Sequence, residues 1–451
     1  MSSEPGLIIP DPNPDPDTLS SNHFGFSVSC GDFNGDNYSD VLIGSEWDGG
    51  GFDIGRAYIY YGGGEMDSLP DIILDDYGAI YFGNSVANLG DVNGDGYEDF
   101  GVGAPGWNNG FGRVYIYFGG PGIDSIPDVI LAGELPNSSF GSSIDGGDFN
   151  GDGYSDVLVG SKYYGTGFSR MGKVYIFFGG VNMDTVPDWE ITGEPGDFLG
   201  YQVESFKKLT NLGWDDFGVN KMKYLSYTDD SLFIYYGSDS LDNWVDLILT
   251  GSLDSQFGNP IQRINMRENE FSSIGVGAIY DSIGGKMYLF IGGEVMDTFP
   301  DGYISGGANI TLLGGRVGGA GDVDGDGMEE VLVGNWPGTP TKIWLLKYTG
   351  SGIRESGFSC PSSIGFRVYP VVVDRVLNIH FEFSGDSYVE IRVYDATGRL
   401  VRKLVDGRYR RLNCIWDLRD GKGNRVRSGV YFVRMDVDVG VSRVGRVLVV
   451  R

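Results

Sequence analysis

The sequence predicts an all-β protein, a β-propeller of six blades followed by a small β-sandwich. Three observations support this prediction. A unit of about 58 residues recurs along residues 1–350, and each unit contains four short strand-like runs. Residues 367–451 contain seven short alternating strands, among them 376–383, 388–394, 400–405 and 412–416, but no copy of the unit. Repeats of this length with four strands each are typical of propeller blades.

The second unit shows the pattern that the others follow. It opens with Phe82-Gly83 and a short strand, continues through an acidic loop, and enters an apolar strand bounded by glycine. An alternating strand from Arg113 comes next, then Gly-Gly and an outer segment that contains Pro127-Asp128. Proline suits the edge strand of a sheet, where a missing N–H costs least. These features predict one four-stranded blade per unit.

The acidic loop is the strongest candidate site. Side-chain oxygens recur at positions 1, 3, 5 and 9, position 7 offers its backbone carbonyl, and position 6 is glycine or Asn37 at a sharp turn. Calcium takes six to eight oxygen ligands, so the spacing predicts up to four Ca²⁺ sites. Strands flank the loop and position 9 closes it, so it is not an EF-hand. The predicted ligands are Asp32, Asn34, Asp36, Tyr38 and Asp40; Asp91, Asn93, Asp95, Tyr97 and Asp99; Asp148, Asn150, Asp152, Tyr154 and Asp156; and Asp322, Asp324, Asp326, Met328 and Glu330.

Two further units have lost the ligand set. Alignment of the fourth unit places Lys208, Thr210 and Leu212 where ligands should stand. In the fifth unit the equivalent residues are Asn265, Arg267, Asn269 and Ser273. We therefore expect calcium in units one, two, three and six only.

The two ends of the repeat suggest how the ring closes. The sixth unit has no outer Pro-Asp segment, whereas an unpaired strand-like run, residues 7–10, precedes the first unit. We expect this run to complete the last blade and remove an exposed sheet edge. The predicted domains are thus a propeller over 1–350, a linker over 351–366 and a sandwich over 367–451.

Charge is distributed unevenly between these parts. The chain has a net charge of −29; residues 367–451 carry 17 basic and 10 acidic side chains, and the remainder 16 basic and 52 acidic. Such an acidic propeller repels nucleic acid and anionic membranes. The sequence contains no transmembrane run of eighteen apolar residues. The first twenty residues lack the apolar core of a signal peptide, so export would require a start that this sequence does not contain.

The propeller units resemble the FG-GAP repeats of integrin α-subunit propellers and their bacterial relatives. Phe82-Gly83, the loop from Asp91 to Asp99, and Gly103-Ala104-Pro105 carry the resemblance most completely. The resemblance implies a Ca²⁺-binding propeller that mediates adhesion at a cell surface. Integrin propellers have seven blades with calcium loops in consecutive blades. Here six units are found and two loops are degenerate, so seven blades remain an alternative.

The last 85 residues resemble the type IX secretion C-terminal sorting domain and the FlgD-type immunoglobulin-like domain. The matching residues are Val368-Tyr-Pro370, Val376 to Ile379, Val393-Tyr-Asp395, Gly398-Arg399, Trp416-Asp417, Asp420, Gly423, Val426, Gly429 and Tyr431. Val371-Val372 stands where the family usually has Asn-Pro. The resemblance implies export across an outer membrane and contact with the secretion machinery.

The leading hypothesis is a secreted or surface binding protein whose partner is an unknown protein or glycan. Only two histidines are present, His23 and His380, and they fall in different predicted domains. No catalytic residue and no organic cofactor is predicted. One alternative is an extracellular glycoside or ester hydrolase, because a glycosidase needs only two carboxylates about 5–9.5 Å apart. Another is a structural component of the cell envelope.

Overall fold

The structure is a computed structural model of the chain. In the part it describes, nearly all regular structure is β-strand, with one four-residue helical turn, α1 (Trp107–Gly110). No helix there is long and apolar enough to cross a membrane. The described residues are 9–13, 23–48, 54–64, 66–76, 78–167, 169–210, 212–222, 230–251, 255–264, 271–281, 284–293, 296–298, 300–305, 313–319, 331–335, 343–348, 353–354, 365–369, 372–373, 377–395, 399–437 and 441–449.

Six four-stranded sheets follow one another across the described residues of the repeat region, each with its strands in consecutive order. The strands of the first three sheets are β1 (Phe24–Gly31), β2 (Asp40–Ser45), β3 (Arg56–Tyr60) and β4 (Ile72–Leu74); β5 (Ser85–Gly90), β6 (Asp99–Ala104), β7 (Arg113–Tyr117) and β8 (Val129–Ala132); and β9 (Phe140–Gly147), β10 (Asp156–Ser161), β11 (Lys173–Phe177) and β12 (Trp189–Thr192). Those of the next three are β13 (Val203–Phe206), β14 (Asp216–Lys221), β15 (Ser231–Tyr235) and β16 (Leu247–Thr250); β17 (Ile261–Ile264), β18 (Ser273–Ala278), β19 (Lys286–Ile291) and β20 (Gly302–Ser305); and β21 (Leu313–Gly319), β22 (Val331–Asn335), β23 (Ile343–Tyr348) and β24 (Ile353–Arg354). The predicted all-β fold of propeller blades is confirmed.

The hydrophobic cores lie between successive sheets. Phe33 and Leu42 of the first sheet region pack with Phe82 and Phe100 of the second in one buried cluster. Equivalent clusters join the second sheet to the third, the third to the fourth, and the fourth to the fifth. The second, third and fourth sheets therefore each bury both of their faces against their neighbours, as propeller blades do.

The Phe-Gly signature marks a close contact between neighbouring sheets. Ser27 Oγ donates a hydrogen bond of 2.9 Å to the carbonyl of Gly83, and Ser85 Oγ donates one of 2.7 Å to that of Gly141. A Cβ atom on Gly44 would overlap the Gly83 carbonyl. The glycine that ends the second strand of a unit thus admits the backbone of the next unit.

A repeated aspartate fixes the outer strand of each sheet. Asp71 Oδ2 accepts a hydrogen bond of 2.7 Å from Tyr61 N, ten residues earlier, and so closes the turn between β3 and β4. The same bond recurs in the next four sheets. The aspartates that make it are Asp71, Asp128, Asp188, Asp246 and Asp301. Part of the acidity of the repeat region is therefore used to hold turns.

The predicted completion of the last blade by residues 7–10 stays a prediction. Residues 7 and 8 lie outside the described residues, and Ile9 packs against Ile43, Tyr58 and Tyr60 of the first sheet region. In the sixth sheet the outer strand is Ile353–Arg354, which falls within the predicted linker.

By its internal contacts the chain divides into two compact units, Met1–Lys347 and Tyr348–Arg451. In the second unit the described strands from Gly365 onward form one six-stranded sheet. Its core contains Leu377, Val389, Trp416 and Val433, which come from both ends of its longest strands. The strands are β25 (Gly365–Tyr369), β26 (Val372–Val373), β27 (Leu377–Asp395), β28 (Leu400–Trp416), β29 (Gly429–Val437) and β30 (Val441–Val449).

The long strands correct the sequence-based division of this region into seven short ones. We predicted separate strands over 376–383 and 388–394, and over 400–405 and 412–416. The structure joins each pair, with a shift in register between Glu382 and Ser387 of β27. Such a bulge bends a strand without ending it, so both halves of β27 contribute to one core. The result is a sandwich-like sheet.

Replacing Trp416 tests the core of the second unit. Its indole is fully buried, packs edge-on against Tyr431 and donates a hydrogen bond of 2.9 Å to the carbonyl of Arg419. We expect Trp416→Ala to destabilise this unit by about 3–5 kcal/mol, because a large buried side chain leaves a cavity. Urea unfolding followed by near-ultraviolet circular dichroism measures the change. Ile415→Ala, at a neighbouring side chain that is 60% exposed, is the matched control. An equal loss of stability in both variants would contradict this packing.

Candidate metal-binding loops

Three of the four predicted calcium loops lie within the described residues, and each joins the first and second strands of its sheet. The fourth, from Asp322 to Glu330, lies outside them. Because the sheets repeat, the three loops occupy the same end of their sheets. Position 1 is Asp32 in the first loop, Asp91 in the second and Asp148 in the third, and positions 2 to 9 follow in order along the chain.

The structure brings the side chains at positions 1, 3 and 5 together. In the second loop, Asp91 Oδ1 accepts a hydrogen bond of 2.7 Å from Gly94 N, and Asp91 Oδ2 accepts one of 2.9 Å from Gly96 N. Asn93 Nδ2 donates to Asp95 Oδ2 at 3.0 Å, which places the side chains of positions 3 and 5 side by side. The first and third loops repeat these bonds.

The converging groups form a ligand set made only of oxygen, as calcium requires. One of the three is an asparagine amide. Correspondingly, no three His, Cys, Asp or Glu side chains gather as a metal site within the described part of the chain. Asp91 Oδ1 accepts two hydrogen bonds, but Asp91 Oδ2 and both carboxylate oxygens of Asp95 accept one each and keep a second lone pair for coordination. The residues at positions 1, 3 and 5 are thus compatible with a hard cation.

Position 9 has a different environment from the other predicted ligands. Asp99 is fully buried, and its Oδ2 and Oδ1 accept hydrogen bonds of 2.8 Å from Val92 N and from Gly119 N. Asp40 and Asp156 repeat both bonds with the equivalent backbone groups. This carboxylate therefore ties its own loop to the turn that follows the third strand.

Burial raises the pKa of these carboxyls. For Asp99 and Asp156 it raises the pKa to about 7, against the lowering effect of the backbone hydrogen bonds, and the loop carboxylates add to the rise. Burial also raises the pKa of Asp40. A cation held in the loop would favour the charged forms.

The fourth unit shows that position 9 has a role of its own. Asp216 is fully buried and accepts hydrogen bonds of 3.1 Å from Thr210 N and from Gly237 N, although Lys208 and Leu212 provide no ligands. Burial raises its pKa to about 7 as well. The aspartate at position 9 thus closes the hairpin whether or not the loop has ligands.

Backbone hydrogen bonds link each loop to the loop of the next sheet. The N–H at position 8 donates to the preceding position 1 carbonyl, from Ser155 to Asp91 at 2.8 Å and from Asp215 to Asp148 at 3.0 Å. A second bond joins the next unit's turn to the position 2 carbonyl, as from Gly180 N to Val92 O at 2.7 Å. Both bonds also join the fourth loop to the fifth. Sequence reasoning missed these links because their partners lie in different units, 64 residues apart for Ser155 and Asp91 and 88 for Gly180 and Val92.

Shallow clefts lie beside the first two loops. One of about 390 Å³ is lined by Asp36 and Tyr38 of the loop together with Asp71. An equivalent cleft of about 350 Å³ lies beside Asp95 and Tyr97. Their acidic walls favour cations over anionic ligands.

Two carboxylates that sequence reasoning did not single out lie on the first strands of neighbouring sheets. Asp145 Oδ2 accepts a hydrogen bond of 2.7 Å from Ser205 N, and Glu204 Oε1 accepts one of 2.8 Å from Arg263 N. Burial raises the pKa of both, and the negative charge of Asp145 adds to the rise at Glu204. Both side chains serve to pair the backbone edge of the next strand.

The first three units of the repeat region match a known repeat family. The profile of the FG-GAP repeat matches residues 24–60, 82–117 and 140–177. Each match spans the first three strands of one of the first three sheets and includes one acidic loop. The chain therefore contains FG-GAP repeats, as the sequence predicted.

Among characterised proteins, the repeats are similar to integrin α subunits. Integrin alpha-5 of Xenopus laevis is 41% identical over 157 residues, which cover 31% of this chain and 15% of that protein. Integrin alpha-6 of Gallus gallus is 40% identical over 144 residues, or 31% of this chain and 13% of that protein. The similarity thus spans about a seventh of the length of these relatives.

A solved structure with a wider match is that of PorZ, described as an essential surface component of the type IX secretion system of Porphyromonas gingivalis. It covers 95% of this chain and 60% of PorZ, with 14% identity and a TM-score of 0.37. A match at that level is too weak to support either a fold or a function.

The raised pKa values predict how stability without metal depends on pH. Asp99, Asp156 and Asp216 have a folded pKa of about 7, against roughly 3.9 in an unfolded chain. The folded state therefore favours the protonated form. The contribution of these three carboxyls to the free energy of unfolding is complete below a pH of about 3.9 and is lost as the pH rises through about 7. In EDTA, we expect the urea midpoint to fall across this window.

The titration of individual carboxyls, followed by carbon-13 NMR, provides the direct measurement. Asp216 is the internal control, because its loop has no metal ligands to complicate the reading. A carboxyl signal of Asp216 that titrates near a pH of about 4 would show that burial does not govern these groups.

Proposed function

We propose that the chain is a calcium-binding propeller that acts as a non-enzymatic adhesion or recognition module at a cell surface. The observation that carries the proposal is the convergence of oxygen ligands at positions 1, 3 and 5 in three successive loops. The similarity of these repeats to integrin α subunits supports a binding role. The sites would comprise Asp32 to Asp40, Asp91 to Asp99, Asp148 to Asp156 and Asp322 to Glu330.

In these loops the protein's own residues would provide a rigid, charged cradle. The position 1 aspartate holds three backbone N–H groups in the first two loops and two in the third, and so fixes the turn around the ligands. Bound calcium would supply positive charge that offsets the repulsion among the loop carboxylates. We therefore propose a structural brace and assign no reaction to these sites.

The partner surface is proposed at the end of the sheets opposite to the metal loops. Successive turns of an antiparallel sheet alternate between its two ends, so the turns after β2, β6 and β10 lie there. The metal loops repeat almost unchanged, whereas these turns differ and present Trp47, Trp107 and Tyr163. Trp47 is 41% exposed, and Arg113 lies 3.5 Å above the ring of Trp107. Varied aromatic surfaces are typical of protein and glycan recognition.

For the C-terminal residues 367–451 we propose a sorting role in export through a type IX secretion system. The support is the set of matching residues given by the sequence, such as Trp416-Asp417 and Gly429. Fusing these residues to a reporter in a bacterium with this system should place the reporter outside the outer membrane. Retention of the fusion inside the cell, as for the reporter alone, would refute this part of the proposal.

Calcium should raise the melting temperature of the full chain, and EDTA should lower it. A ligand that binds only the folded state adds about 2.7 kcal/mol at a hundred times its dissociation constant. Isothermal titration calorimetry and thermal unfolding provide the measurements. Asp95→Ala should remove one site and leave the fold intact, because stability is spread over the blades.

Asp242→Ala is the matched control for Asp95→Ala. It removes the same charge from an exposed turn of the fourth unit, whose loop lacks the predicted metal ligands. There Asp242 accepts a hydrogen bond from Trp244 N. The calcium stoichiometry should stay at its wild-type value in this variant. If EDTA leaves the melting temperature unchanged and calorimetry shows no binding, the metal assignment is refuted.

The recognition role needs a separate test. Glycan and protein arrays probed with and without calcium should give specific binding that weakens in EDTA. Alanine at Trp47 should abolish that binding without changing calcium stoichiometry, because the residue lies at the opposite end from the loops. The hydrolase alternative stays a hypothesis that activity screens on glycosides and esters address.

A further inference from the structure

The side chain at position 7 of one loop lies against the loop of the preceding sheet. Tyr97, Tyr154 and Trp214 occupy the space that a side chain would need on the position 4 glycine before them. Those glycines are Gly35, Gly94 and Gly151, each with a positive φ of 76° to 79°. An aromatic ring from the next sheet therefore covers each of the three described loops.

The residue at position 8 makes a second contact across the same boundary. Asp215 Oδ2 accepts a hydrogen bond of 3.1 Å from Asp148 N, and Glu98 Oε2 accepts one of 2.8 Å from Asp32 N. In both cases the donor is the residue at position 1. For the second loop, the corresponding residue of the next unit is Ser155, which has no carboxylate; its backbone N–H donates to Asp91 O, as that of Asp215 does to Asp148 O.

The fourth unit keeps these contacts although its own loop lacks the metal ligands. Its own loop has Lys208 and Leu212 where carboxylates would be needed. It nevertheless retains Trp214 over Gly151 and Asp215 on Asp148 N, the two side chains that touch the third loop. The fourth unit thus lacks its own ligands but has the side chains that contact the third loop.

We propose that Trp214 and Asp215 are positioning residues for the metal site of the third loop, provided by a unit that has no metal site of its own. This inference rests on the proposed calcium binding. Asp215 fixes the backbone of Asp148, and the indole of Trp214 shields the turn at Gly151 from water. The metal site of each loop is then complete only when the next sheet is in place.

The inference is tested on the full chain with Ca²⁺ and with Tb³⁺, a luminescent substitute for calcium. We expect Trp214→Ala to weaken one site by about 10- to 100-fold, the usual effect of losing a group that orients a metal ligand. The remaining sites should keep their affinity. Trp214→Phe should restore the affinity, because a ring again covers Gly151, but it should abolish tryptophan-sensitised Tb³⁺ emission from this site.

Two further variants serve as controls. Trp244→Ala removes a tryptophan of the same unit that is 81% exposed and distant in sequence from the loop, and it should leave binding and emission unchanged. Asp152→Ala removes the third site itself, and with it the sensitised emission. Circular dichroism in EDTA checks that each variant is folded. If Trp214→Ala does not fold, Asp215→Ala, which removes the acceptor of the bond from Asp148 N, should weaken the same single site.

The outcomes separate the inference from the function on which it rests. Absence of Ca²⁺ and Tb³⁺ binding in the wild-type chain would refute the proposed function itself. If wild type binds and Asp152→Ala loses one site, but Trp214→Ala binds all sites with wild-type affinity, the inference is overturned. An equal loss at every site in folded Trp214→Ala would also overturn it, because the proposed effect is local.

Discussion

The first four units of the repeat region depend on a buried aspartate at position 9 of the loop between their first two strands. Asp99 joins the start of its loop, the second strand and the following turn through two backbone hydrogen bonds. Burying a carboxyl raises its pKa to about 7, yet the arrangement recurs from the first unit to the fourth. Satisfying otherwise unpaired backbone N–H groups at a crowded turn offsets part of that cost. The hairpin so formed provides both the loop proposed to hold a metal and the carbonyls that accept bonds from the next sheet.

Because one loop contains both candidate metal ligands and residues that pair the backbone, the sequence alone does not tell these two groups of residues apart. Positions 1, 3 and 5 converge in the candidate site, the aspartate at position 9 also closes the hairpin, and the side chains at positions 7 and 8 contact the preceding loop. The outer aspartates such as Asp71 form a further group that only holds turns. A count of acidic residues therefore overstates the number available to bind cations.

The sequence predicted the features that are encoded locally. Phe82-Gly83, the Asp91 loop and the glycine-bounded strand each follow from a few adjacent residues, and the sheet order agreed with them. The sequence could not predict contacts between units, because Asp215 and Asp148 are distant in the chain and only the packing of successive sheets brings them together. Two-residue strands such as Ile353–Arg354 give no periodic signal. In β27 the turn-like residues near Gly385 form a bulge, because pairing with β28 continues on both sides.

The backbone links between loops have a consequence for how such a chain can change. They join the fourth loop to the third and fifth through N–H and carbonyl groups, which every residue other than proline provides. Substitution of an acidic loop residue therefore leaves the links intact, and a unit can lose its acidic loop while it still packs between its neighbours. The number of acidic loops and the number of sheets can thus evolve independently, which permits repeat proteins of one size with very different loop chemistry.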